Sequence, residues 1–124
     1  MSLESDLYTA LSNHGGLSAL VGTRIYPNRL PDNPTLPAVV YQRITTNHNL
    51  ASGNVPLIRA RMQLDCYDDS YLSVVAVTAQ VHACLDMASP TGLAAAVPEN
   101  DDDMYDGDAL LHRRRLDVFV WKNQ

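Results

Sequence analysis

The residues with the most chemical potential in this sequence are aspartates. Asp101, Asp102, Asp103, Asp106 and Asp108 fall within one short stretch. Carboxylates that close together suggest Ca²⁺, which collects several oxygen ligands. The nearest EF-hand register starts at Asp102, but it fails at the third position (Met104) and the twelfth (Arg113), and no helices are expected to flank it. The other use of such a stretch is a solvated acidic loop over 99–108 that steers a basic partner. His14, His48, His82 and His112 are scattered. His82 and Cys84 stand two apart on a predicted helix, so they diverge, and no Cys or His pair has zinc-site spacing. No metal or cofactor site is expected. Neither a Gly-x-Ser-x-Gly elbow nor a Gly-x-x-x-x-Gly-Lys-[Ser/Thr] phosphate loop is present. Cys66 falls on the apolar side of a predicted strand, where a thiol is inert. No catalytic residue is named and no enzyme is expected, although a Cys or Ser site assembled in space would leave no such motif.

The basic residues that stand out are Arg59, Arg61, Arg113, Arg114 and Arg115. If the two segments that carry them are neighbouring strands, some of these arginines share a face. One use is an arginine face meeting the acidic stretch of a second copy, a physical route to a ring. The other is ordinary strand charge paired locally with Asp65 and Asp117.

The elements that must position these groups are read from periodicity. Residues 57–67 alternate strictly. Ile58, Ala60, Met62, Leu64 and Cys66 fall on one face, Arg59, Arg61, Gln63, Asp65 and Tyr67 on the other, as in a half-buried strand. A helix over 71–87 follows, capped by Asp69 or Ser70. Its core side is predicted as Tyr71, Val74, Val75, Thr78, Val81, His82 and Leu85. Its other side, Ser73, Ala76, Gln80 and Ala83, is small and uncharged. That suits close packing against another subunit, and it equally suits a helix that merely exposes alanines.

Before this unit, Ser2 is a predicted N-cap for a first helix with Leu3, Leu7, Tyr8 and Leu11 on its apolar face. Gly15 and Gly16 stop that helix. One or two helical turns end at Gly22, and 23–26 forms a short strand. Four prolines make 27–37 an extended connector. Residues 38–46 form a strand, and 47–56 a long polar loop that is either mobile or reserved for a partner. After the main helix, 92–98 is a predicted strand, 99–108 the acidic loop, and 109–122 a strand with Leu116, Val118 and Val120 opposite Arg115, Asp117, Phe119 and Trp121.

The chain of 124 residues suits one domain spanning 1–124, and a 46% hydrophobic content supports a packed core. No apolar run approaches the roughly 18–20 residues of a membrane span, so no membrane partner is expected. The first residues carry no basic region followed by an apolar stretch, so no secretory signal is expected. With two cysteines, Cys66 and Cys84, the expectation is reduced thiols, buried or half-buried, and not a disulfide framework. A formal net charge of −5 argues against gripping nucleic acid.

Four stretches carry a family resemblance in their order and spacing: 17–27 (LSALVGTRIYP), 36–43 (LPAVVYQR), 59–65 (RARMQLD) and 115–121 (RLDVFVW). With the helix 71–87 between them, the chain resembles the tail-completion proteins (head–tail joining, tail terminator) of tailed bacteriophages and prophages. The resemblance implies an α+β fold, an antiparallel sheet with an N-terminal helix and one main helix packed on it. It implies a structural protein of virion assembly that forms a ring, expected as a hexamer. That ring would cap the tail tube and join it to the head connector, in the host cytoplasm during assembly and in the virion tail or neck afterwards. The partners implied are further copies of the chain, the tail-tube protein and the connector protein. DNA would be passing cargo, and no small-molecule substrate is implied. The alternative is a small intracellular homo-oligomeric binding module with a different protein partner and no catalysis. The candidate subunit-interface residues are Arg59, Arg61, Gln63, Ser73, Ala76, Gln80, Ala83, Asp101, Asp102, Asp103, Arg113 and Arg115.

Overall fold

The computed structural model describes residues 2–52, 55–86, 93 and 95–123. The elements are α1 (Leu3–Asn13), α2 (Gly15–Val21), β1 (Ile25–Pro27), β2 (Ala38–Ser52), β3 (Val55–Asp68), α3 (Tyr71–Asp86), β4 (Ala95–Asp106) and β5 (Leu111–Asn123). One five-stranded sheet has the order β1-β2-β3-β5-β4. The fold is α+β. The sheet is mixed and not wholly antiparallel, because β1 pairs parallel with β2 through Ile25↔Val39. A strand of three residues followed by the proline connector crosses over and returns in the same direction.

Local chemistry sets the helix ends. The Ser2 hydroxyl accepts from the Ser5 N–H at 3.0 Å and caps α1. Gly15 and Gly16 open α2 instead of only ending α1, whose C-cap is His14. Gly22 ends α2 at φ 59°, a left-handed conformation that glycine adopts without strain.

All three helices pack on one face of the sheet. Leu7, Leu11, Leu17, Val74, Val77, Val81 and Leu85 form one buried cluster with Val39, Ala60, Met62, Leu64, Cys66, Leu116, Val118 and Val120. The predicted alternation of β3 and β5 therefore holds, with Ile58 partly buried at the margin of the cluster. On α3 the core stripe is turned from its predicted position. Val77 and Cys84 are buried, whereas Tyr71 is exposed and Val75 and His82 are half-buried. This helix is apolar nearly all round, so its periodicity specifies its orientation weakly. The predicted end at Met87, with Ser89, Pro90 and Gly92, lies outside the described residues.

Two predicted loops are strands. The polar stretch 47–56 extends the β2–β3 ladder through Leu50↔Leu57 and Ser52↔Val55, with irregularities after Arg43 and Asn47; Gly53 and Asn54 lie outside the described residues. The acidic stretch 99–108 is mostly β4, which runs from Ala95 to Asp106 and replaces the shorter predicted strand 92–98. Composition misleads in both places because an antiparallel pair satisfies its backbone groups whatever its side chains. In β4 there is a further cause. Asp102 lies opposite Arg115 and Asp103 opposite Arg114, so cross-strand charge pairing offsets the low strand propensity of aspartate.

Leu64 is fully buried at the centre of β3. Leu64→Ala should lower the unfolding free energy by about 2–5 kcal/mol, read by urea denaturation. A loss within error would show that this side of β3 is not core.

Candidate functional site

With the helices on one face, the other face of the sheet is the broadest surface that no described helix covers. Register places Gln42, Gln63, Asp117 and Asn100 in one row across it. Asp65 and Arg115 form the next row with Val40 and Asp102, and Arg59 lies beside Trp121. The polar groups here largely answer one another. Asp65 is buried; its carboxylate accepts from Arg113 Nε at 3.0 Å and from Gln63 Nε2 at 2.9 Å. Arg113 also lies over the Tyr67 ring at 5.7 Å. Arg61 donates to Asp117 at 3.2 Å and Arg115 to Asp102 at 3.3 Å. Exposed pairs of this kind contribute about 0–1 kcal/mol each.

The arginines and aspartates expected to join two copies are thus mostly paired inside one. Asp101 and Asp103 point to the helix side and Asp102 to the open side, because a strand alternates. Asp101 faces His82 at 3.5 Å. Asp103 accepts from Arg114 Nε at 2.6 Å and from the Tyr71 hydroxyl at 2.9 Å. Those two donors, Arg114 first, hold the Asp103 carboxyl below the usual aspartate range. The strand's alternation separates the carboxylates, so they do not converge as Ca²⁺ ligands. Among the described residues no three His, Cys, Asp or Glu side chains gather to hold a metal ion.

Arg59 differs from the other arginines of β3 and β5. Among the described residues it has no carboxylate partner, its Nε is buried without a hydrogen bond, and its guanidinium lies 5.0 Å from the centre of the Phe119 ring. Arg59, Arg61, Gln63, Arg113 and Arg115 therefore do share one face, as the alternation predicts.

The helix-side candidates are divided. Ala76 and Ala83 are exposed and Ser73 is half-buried. Gln80 is turned inward instead: it meets His14 Nε2 at 3.3 Å, and a side chain on Gly16 would collide with its amide, so α2 closes over this part of α3. Two charged contacts between distant segments have no signal in the sequence. Asp6 is buried against Lys122, and Glu4 pairs with Arg43 at 2.7 Å. The exposed Tyr105 and Leu110, at the β4–β5 turn, also escape sequence reasoning; the Gly107 turn signal beside them is the available clue.

Cys66 and Cys84 are free thiols buried on the helix side. Burial pushes the Cys66 thiol up to about 12, so neither the nucleophilic nor the metal-binding form is present at neutral pH.

The sequence model for the family described as tail completion protein gp17 matches residues 5–122. The chain belongs to that family. It is a structural protein of a phage-type tail. No curated protein sequence matches it significantly. Among solved structures, a chain described under "Virion of native gene transfer agent (GTA) particle" is similar, with a TM-score of 0.74, 16% identity, and coverage of 99% of this chain and 96% of that one. At that identity the likeness establishes a common fold. The family is a structural one.

Two outcomes check the electrostatics. A lowered carboxyl stabilises the fold above the ordinary aspartate range, and that contribution is lost as pH falls through the lowered value. Asp103→Asn should therefore flatten the acid limb of the melting temperature against pH, followed by circular dichroism; an unchanged limb would mean that solvent screens the pair fully. Cys66 should resist a thiol reagent at pH 8 until denaturant is added, and rapid labelling of the native protein would contradict its burial.

Proposed function

We propose that this protein forms a closed ring, a hexamer, at the head-proximal end of the tail, where it caps the tail tube and joins it to the head connector. The observation that carries this is the family match along nearly the whole chain. The occurrence of a similar fold in a virion particle supports it. The partners are further copies of the chain, the tail-tube protein and the connector protein. Assembly takes place in the host cytoplasm before the ring enters the tail or neck.

The physical arrangement suits this role. A closed ring is held by heterologous contacts, so each copy needs two unlike surfaces. One is the open sheet face with Arg59, Arg61, Gln63, Arg113 and Arg115. The other is the side that carries α3: its small-residue strip, Ser73, Ala76 and Ala83, with Gln80 at its inner margin, Asp101 and Asp103 on the neighbouring edge strand, and the end where α3 begins; Asp102 faces the open side. DNA passes through without being gripped, because the net charge of −5 offers little to neutralise phosphate.

Native mass spectrometry of the purified chain tests the ring. The expected result is one closed oligomer without a ladder of larger species. A strict monomer at high concentration, also when mixed with tail-tube protein, would overturn it. The double substitution Arg59→Glu, Arg61→Glu should weaken assembly while leaving the melting temperature of the monomer within a few degrees. Assembly at the same concentration as the parent would remove the arginine face from the interface.

A further inference from the structure

Of the large apolar side chains exposed among the described residues, Tyr8, Leu20, Ile44 and Val97 lie elsewhere, whereas Tyr71, Leu72, Tyr105 and Leu110 share one end of the molecule, where α3 begins and β4 turns into β5. That end holds the most exposed of them, with Leu72 at 78% and Leu110 at 64%. The His112 ring lies 5.7 Å from Tyr71, edge-on, and 4.7 Å from Tyr105, tilted, so the three rings form one cluster. Arg114 donates to both the Tyr71 hydroxyl and Asp103 beside that cluster. Asp106 Oδ1 accepts from the N–H groups of Asp108 and Ala109 at 3.0 and 3.2 Å and pins the turn.

Leu110 sits at φ 56°, a left-handed conformation that costs a leucine about 1–2 kcal/mol and that glycine or asparagine would adopt more easily. That conformation closes the turn between β4 and β5. A cluster of exposed apolar side chains points to a contact outside the chain. Asp69, Asp106 and Asp108 are exposed around this end, and none has an ion pair among the described residues.

The complement lies on the same chain. At the other end of β5, on the open sheet face, Phe119 and Trp121 stand 6.2 Å apart and Arg59 covers Phe119 with no carboxylate of its own. Arg61 beside them is exposed and held only by Asp117. Arginine set among aromatic rings is the composition of interface hot spots. The two ends lie about 33 Å apart along β5, at about 3.3 Å per residue. One copy therefore cannot bring them together, and two copies can.

The structure assigns a head-to-tail contact between copies: the acid-rimmed apolar end formed by Tyr71, Leu72, Tyr105 and Leu110 docks on the Arg59–Phe119–Trp121 corner of the next copy. This deepens the ring reading and rests on it. The contact puts the unpaired carboxylates of one copy against the unpaired arginine of the next. It also covers the exposed apolar end of one copy and the half-buried Phe119 and Trp121 of the next, and it repeats in one direction, as a ring requires.

The test uses two variants of the full chain. The first, Leu72→Glu with Leu110→Asn, spoils the apolar end; the second, Arg59→Glu with Arg61→Glu, spoils the corner. Each alone should raise the concentration for half-assembly by about tenfold or more, the scale of losing a hot spot. Each variant keeps one intact surface, so an equimolar mixture should give a one-to-one heterodimer that grows no further. A mixture that stays monomeric, with both variants melting like the parent, overturns the pairing. If the apolar-end variant forms rings like the parent, the ring reading stands and this contact alone falls. The contact also falls if that variant forms rings but fails to bind tail-tube or connector protein, because the end then serves that partner. A parent that never assembles removes the ring and this contact together. If the first variant unfolds, Leu72→Ser gives the same readout with a smaller change.

Discussion

The structure depends on a sheet that is covered on one side only. Residues 58–66 alternate so strictly that β3 sends every apolar side chain beneath α1, α2 and α3 and every charged one to the opposite face. The strand therefore sorts two tasks. The helix side holds the monomer together by burial, at about 25 cal/mol for each Å² of apolar surface removed from water. The open side lacks that cover, so its charged groups neutralise one another, are met by a partner or are solvated. Asp65 shows the first solution, buried at the middle of the sheet between Arg113 and Gln63. Arg59 has no carboxylate partner among the described residues and lies over the Phe119 ring.

The same division accounts for the acidic edge strand. An edge strand presents unpaired backbone groups and invites indiscriminate pairing with other chains. In β4, Asp101, Asp102, Asp103 and Asp106 place repeated negative charge along that edge, and Pro98 interrupts its donors. Arg115 opposite Asp102 and Arg114 opposite Asp103 keep the strand in place. Charge here holds the edge in register and discourages indiscriminate pairing.

Much of this fold can be read locally. A period of two needs no knowledge of neighbours, so the faces of β3 and β5 are legible from Ile58–Cys66 and Leu116–Val120 as spelled. The Ser2 cap and the Gly22 stop are equally local. What sequence reading misses depends on which segments meet. Asp101–Asp103 reads as a loop because only β5, carrying Arg114 and Arg115, makes it a strand. Residues 47–52 read as a loop because only the ladder with β3 makes them a strand. Val77 and Cys84 lie on the core side of α3 because of where the sheet sits, which an almost uniformly apolar helix does not disclose. Gln80 has its amide occupied because Gly16 allows α2 to approach, a contact 64 positions away in the chain. At the candidate interface the alternation correctly groups Arg59, Arg61 and Gln63. Their pairing within the chain, and the exposed rings at the β4–β5 turn, need the tertiary structure.

In the proposed role this chain occupies one position in the particle, between tail tube and head, and works through contact surfaces alone. Immunogold labelling of intact particles with antibody raised against the purified chain tests that most directly. The proposed role predicts a single focus of label at the junction of head and tail, and on free tails a single focus at the end that would meet the head. Label along the length of the tube, or at the end away from the head, would contradict it.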